Sequence, residues 1–183
     1  MNLSPKTILF DINFILNKIG IEENQRVAEL GCGNFGYFVF PIAKMVGKRG
    51  LVYAVDIMKT ALSEIENKAK AERLTQINTV WSDLEIFKAT RIESSSLDRA
   101  LLVGILNQSR RRADILRESV RLLKADGRLI VIEWNGQEAP IGPEPNQKVR
   151  PEALKEACPK LGLKFEDEFE AGPYHYGLIL KKL

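Results

Sequence analysis

The chain holds one histidine and only two cysteines, Cys32 and Cys158, among its 183 residues. Neither cysteine belongs to a spacing used for metal ligation, and two of them cannot build a disulfide framework. A reduced, cytoplasmic protein without a metal site is therefore expected. No apolar run approaches the roughly 18 residues that a membrane-spanning helix needs. The run ILFDINFIL near the start is broken by Asp11 and Asn13, which fits an amphipathic helix rather than a signal peptide. A large excess of charge of one sign is lacking as well. The net charge of +3 permits an anionic substrate but lacks the concentrated basic surface that nucleic-acid binding usually needs. Internal repeats and low-complexity tracts are absent.

What is present is ordinary for a globular chain: 45% hydrophobic and 28% charged residues, and a length that suits one core. The order of patterns is more telling. Ser4-Pro5 is a helix start, and Ile8, Ile12, Ile15, Leu16 and Ile19 recur at helical spacing up to Gly20. RVAEL then reads as a buried strand, FVFPIAKMV as a helix, LVYAVD as a strand and Lys59–Arg73 as a helix rich in Ala, Glu and Lys. INTVW and LDRALLV are two more strands. Arg112–Leu123 is an amphipathic helix, closed by the turn ADGR with Gly127 as its expected cap, and RLIVIEW is a fifth strand. Strands alternating with helices predict a doubly wound, mostly parallel sheet in an α/β fold. Residues 135–150 form a proline-rich loop. A helix from Pro151 and two antiparallel strands, LKFEDEFE and YHYGLILKK, complete the chain. The expected organisation is a single domain over 1–183, with an N-terminal helix in 1–24, a cofactor-binding core in 25–134, and a helix and hairpin in 151–183.

Between the first strand and its helix stands ELGCGNFGYF, in which Gly31, Gly33 and Gly36 spell G-x-G-x-x-G. A glycine loop there lets a ligand approach the backbone in front of a helix N-terminus, and Asp56, ending the second strand, sits where ribose hydroxyls need an acceptor. This pattern fits a dinucleotide or S-adenosylmethionine, and by itself also fits a tight turn that binds nothing. Three features separate the two cofactors. Glu29 places a carboxylate just below the loop, unsuited to a pyrophosphate and suited to a cationic amino-acid end. No tyrosine is followed four residues later by lysine; those places hold Pro41, Ile57, Leu178 and Leu180. A chain of this length also leaves no room for a separate substrate domain. An NAD(P)-binding oxidoreductase stays as an alternative.

Taken in order, VAELGCGNFGYF, VYAVDI, WSDLE, SSLDRALLVGILNQ and ESVRLLKADGRLIVIEW resemble the class I S-adenosylmethionine-dependent methyltransferases, and within them the ubiquinone/menaquinone-type (type 11) branch. The resemblance runs from about Val27 to the C-terminus. It implies a Rossmann-like sheet of seven strands, the last antiparallel, and methyl transfer from S-adenosyl-L-methionine to a small-molecule acceptor. It also implies that Glu29, Gly31, Gly33 and Gly36 line the methionine part of the cofactor. Asp56 takes the ribose hydroxyls and Ile57 packs on the adenine. Asp83, after Trp81 and Ser82, accepts from the adenine amino group, with Leu84 donating its amide. Asp83 also suits a helix N-cap.

Two departures stand out. Asn34-Phe35 moves the third glycine one place later than the family's usual G-x-G-x-G, and Asn107-Gln108 replaces an Asn-Pro-Pro-Tyr-like motif. Methylation of exocyclic base amines is thereby disfavoured. Arg110–Arg112, Arg117 and Arg121 keep an RNA methyltransferase open, although Asp114 and Glu118 interrupt them, as on a solvated helix face. A non-catalytic methyltransferase-like binding protein is a further alternative. His175, between Tyr174 and Tyr176 at the start of the last strand, is the candidate acceptor contact or general base. Glu133 and Trp134 end the fifth strand at the same edge, where loop 135–149 suits a lid.

Overall fold

The structure is a computed structural model and describes residues 10–183. The proposed helix start at Ser4-Pro5, and Ile8, lie outside that range. Helix α1 spans Ile12–Ile19, after non-helical Phe10 and Asp11; the Asp11 carboxylate caps it by accepting from the Phe14 amide at 3.0 Å. Gly20 ends α1 with a left-handed φ of 64°, as a C-terminal glycine should. The remaining α-helices among the described residues are α2 (Val39–Val46), α3 (Lys59–Ala71), α4 (Arg112–Leu122) and α5 (Pro151–Ala157).

Seven strands form one sheet: β1 (Arg26–Leu30), β2 (Leu51–Asp56), β3 (Ile77–Trp81), β4 (Leu97–Val103), β5 (Leu123–Trp134), β6 (Leu163–Gly172) and β7 (His175–Lys182). Their spatial order is β3-β2-β1-β4-β5-β7-β6. All pairings are parallel except those of β7, which runs antiparallel to both β5 and β6. This is the expected α/β arrangement.

Alternate residues of the central strands feed two separate cores, as period-2 side chains must. Val27, Leu101 and Ile130 pack with α1, α2 and α3, while Ala28, Leu102 and Val131 pack with α4 and α5. Both faces of the sheet are covered, which explains why these strands read as continuous apolar runs.

The turn ADGR differs from expectation. No glycine caps α4; Leu123 follows it directly in extended conformation and begins β5. Pairing with β4 jumps from Leu97↔Leu123 to Arg99↔Arg128, so the intervening residues bulge. Asp126, not Gly127, takes the left-handed φ, at 62°, and is held by Lys181 at 2.6 Å. Gly127 is needed for space, since a Cβ there would stand 3.0 Å from the carbonyl oxygens of Leu97 and Lys124.

Candidate functional site

The carboxyl ends of β1 to β5 point to one edge, and the order reverses there between β1 and β4. Ligands of doubly wound sheets sit at such a switch point. A cavity of about 640 Å³ opens there, a size ordinary for a cofactor site. Glu29, Gly31, Gly33, Asp56, Ile57, Ser82, Asp83, Leu84 and His175 all border it. Among the sequence candidates Gly36 and Glu133 do not.

Local chemistry explains these positions. Gly31 and Gly33 have left-handed φ values of 84° and 58°. A Cβ at Gly31 would lie 2.2 Å from Ile105 Cδ1, whereas one at Gly33 would meet no protein atom within 4 Å. The first glycine admits its neighbour, and the second keeps the cavity open. Gly36 also has a left-handed φ, 53°, but a Cβ there would meet Ile65 Cδ1 of α3 at 2.5 Å. Gly36 thus stands off the cavity border, against the expectation that it lines the cofactor. The late third glycine serves packing between the loop and α3.

Asp56 is nearly buried and already accepts two backbone amides, Gly33 to Oδ2 at 2.8 Å and Met58 to Oδ1 at 2.9 Å. Each oxygen retains a further lone pair for a ligand. Beside it Ile57 and Met58 are about half exposed, as is Phe35 on the opposite loop; all three border the cavity. Large apolar side chains left open in a concave site suit a flat ligand. Asp83 is not a helix cap, since no helix follows it. Its Oδ1 accepts from the Glu85 amide at 2.9 Å in a local turn. The Ser82 hydroxyl is shared with Thr90 at 2.9 Å.

Glu29 is buried and accepts from the Val39 amide at 2.9 Å, at the start of α2. Burial pushes its pKa up to about 8, against the lowering effect of the Val39 and Phe38 amides, and the Asp56 charge adds to the rise. Cys32, next to it, has its thiol pushed well above the usual range by burial and by Glu29 and Asp56, so it is no nucleophile. Glu133 is turned away from solvent. Its two oxygens accept from the Leu106 amide at 2.7 Å and the Asn107 side chain at 2.8 Å, fixing the 3-10 turn Leu106–Gln108 after β4.

His175 is 1% exposed and lies against two rings, Phe10 at 4.4 Å and Trp134 at 4.2 Å between centroids. It pairs with Trp134 across β5 and with Gly172 in the hairpin. The imidazole is part of an aromatic wall rather than an open edge group. Residues of loop 135–149 do not border the cavity; Gly142 rests instead on the Trp134 ring, where a Cβ would come within 2.9 Å.

Sequence reasoning missed Phe10, Tyr37, Ile105 and Gln108, which also border the cavity. Phe10 falls between Ile8 and Ile12 of the helical spacing and carries no signal of its own. Tyr37 stacks on Phe35 at 5.3 Å, and its place in the glycine loop was the one available clue. The arginine cluster is held largely by the chain itself. Arg111 and Arg117 pair with Asp114, Arg112 donates to the carbonyls of Leu106 and Gln147, and Arg121 pairs with buried Glu118 at 2.7 Å. Among the described residues no cluster could hold a metal ion and no helix is long and apolar enough to cross a membrane.

Solved structures of the same fold are numerous. A SAM-dependent methyltransferase from Aquifex aeolicus superposes with a TM-score of 0.86 at 22% identity, covering 98% of this chain and 94% of that one. The [4+2]-cyclase SpnF superposes at 0.77 with 15% identity, covering 93% and 79%. An O-methyltransferase from neocarzinostatin biosynthesis, solved with S-adenosyl-L-homocysteine and 1,4-dihydroxy-2-naphthoic acid, gives 0.70 with 14% identity, covering 87% and 49%. No protein of curated function matches the sequence. The model of the methyltransferase domain matches residues 21–172, without singling out the ubiquinone/menaquinone-type branch. The chain belongs to the methyltransferase domain family, with the class I S-adenosylmethionine-dependent fold.

Proposed function

We propose that the chain is an S-adenosylmethionine-dependent methyltransferase acting on a small molecule. The observation that carries this reading is the joining of Asp56 to Gly33 at the cavity border, with exposed Ile57 beside them. That arrangement offers a ribose acceptor, a backbone approach and an apolar platform for a nucleoside in one place. When bound, the cofactor supplies an activated methyl group on a sulfonium. In this reading Asp56 takes the ribose hydroxyls, Ile57 supports the adenine, and Asp83 and the Leu84 amide read its edge. Glu29 holds the start of α2 by accepting from the Val39 amide, and, kept protonated near pH 7 by burial, it faces the amino-acid end of the cofactor as a neutral hydrogen-bonding group. His175 bounds the acceptor side and is the group proposed to contact the acceptor and take its proton.

A nicotinamide cofactor is disfavoured by the same site, because a pyrophosphate beside Asp56 meets negative charge with no cation among the described residues that border the cavity. RNA is disfavoured by the internal pairing of the arginines on α4. Titration with S-adenosylhomocysteine tests the cofactor half of the reading, and methyl transfer from labelled cofactor to a metabolite panel tests the enzyme half. A protein that binds the cofactor and never transfers the methyl group would be a non-catalytic member of the fold.

A further inference from the structure

The cavity is one-sided in its charge. Among the described residues that border it, Glu29, Asp56, Asp83 and Glu85 are acidic, and none is lysine or arginine. The chain's overall net charge of +3 therefore does not reach the site, and an anionic substrate that bulk composition permits meets no cation there.

Strand order sorts the lining further. Three of these acids, Glu29, Asp56 and Asp83, stand at or just beyond the ends of β1, β2 and β3, the half of the sheet that includes Asp56, while Glu85 reaches toward β4 and accepts from the Ser109 hydroxyl at 2.5 Å. The other half of the cavity, at β4, β5 and β7, is bounded by Val103, Ile105, Trp134 and His175, with Phe10 against His175. Neighbouring strands lie about 4.8 Å apart, so β5 stands three spacings, about 14 Å, from β2. Acidic residue Glu133 does end β5, but its oxygens are spent on Leu106 and Asn107. The far half is thus mainly apolar and aromatic, and its polar side chains, His175 together with Gln108 and Ser109 after β4, carry no fixed charge. A carboxylate or phosphate carried there loses its hydration, finds no ion pair, and feels the acids of the near half.

We propose that the methyl acceptor is a flat, largely apolar molecule without negative charge, presenting a neutral hydroxyl or amine to the Trp134–His175–Phe10 wall. The proposal rests on the methyltransferase reading of the same cavity. In the transfer, the acceptor oxygen or nitrogen forms a bond to the methyl carbon and the carbon–sulfur bond breaks. Its electron pair stays on sulfur as S-adenosylhomocysteine, and the acceptor's proton leaves to the imidazole or to water.

The test uses three probes of one shape, 2-naphthol, 2-naphthylamine and 2-naphthoate, titrated at pH 7 into protein saturated with S-adenosylhomocysteine. The neutral pair should bind at least roughly tenfold more tightly than the carboxylate. Trp134→Ala should weaken 2-naphthol, with thermal unfolding and the S-adenosylhomocysteine titration on the same variant reporting that the fold persists; Phe10→Leu repeats the test should that variant not fold. Carboxylate binding as tight as that of the neutral probes overturns the proposal, as does no binding by any of the three. Failure of S-adenosylhomocysteine itself to bind is a different result, which removes the cofactor reading beneath it.

Discussion

The amide of Gly33 donates to Oδ2 of Asp56 at 2.8 Å, tying the glycine loop after β1 to the carboxylate that ends β2. One side chain thus both shapes the loop and faces the space in front of it. Asp56→Ala removes that tie and the ribose acceptor together. Charge-assisted hydrogen bonds contribute roughly 1.5–3 kcal/mol each, so S-adenosylhomocysteine should bind at least about tenfold more weakly. Asp56→Asn, which keeps one acceptor oxygen, should lose less. Calorimetry on the folded variants decides it, and unchanged affinity in Asp56→Ala would place the ribose elsewhere.

Gly33 and Gly36 share a left-handed backbone but not an environment, and alanine separates them. Gly36→Ala meets Ile65 and should cost about 2–4 kcal/mol of stability from strain and overpacking. Gly33→Ala has free space and should cost only about 1–2 kcal/mol, yet its methyl group enters the room a ligand needs. Thermal melts and cofactor titrations on both variants should show opposite losses. A Gly36→Ala protein that keeps its melting temperature and loses binding would return that glycine to the cofactor wall.

Glu29 makes stability depend on pH. Its folded pKa of about 8 lies above the ordinary 4.5 because of burial, so the folded state holds a proton that the unfolded chain has released. Its contribution is full below pH 4.5 and is lost as pH rises toward 8, at up to about 1.4 kcal/mol per pH unit. Glu29→Gln, which still accepts from the Val39 amide, should flatten this slope. Denaturant unfolding of both proteins at pH 5, 6.5 and 8 checks it; parallel slopes would show that Glu29 is already ionised when folded.

Much of this was legible in the sequence because the signals are local. The strands β1, β2 and β4 are short apolar runs buried on both faces, and α3 carries the Ala, Glu and Lys pattern of a helix. Spacing, however, cannot say which way a residue faces. Gly36 completes the fingerprint by count, yet its role comes from Ile65, on a different helix. Asp126 takes the turn that Gly127 was expected to take, because the register shift between β4 and β5 sets the bulge. His175 looked like an edge residue because its two covering rings, Phe10 and Trp134, come from distant parts of the chain.

That placement gives His175 a test with two readouts. His175→Ala removes a fully buried ring from an aromatic wall, and about 2–4 kcal/mol of stability should go with it. If the imidazole also takes the acceptor's proton, turnover of the folded variant should fall roughly 10²-fold or more while cofactor affinity stays. Lost stability with normal turnover would leave His175 as wall alone. Both are read once an acceptor has been found.

The choice of cofactor is measured most directly by titrating S-adenosylhomocysteine and NAD into the same preparation. Carboxylates at Asp56 and Asp83, with no lysine or arginine among the described residues bordering the cavity, predict saturable binding of S-adenosylhomocysteine and none of NAD at the same concentrations. Tighter binding of NAD would contradict the assignment of this site to S-adenosylmethionine.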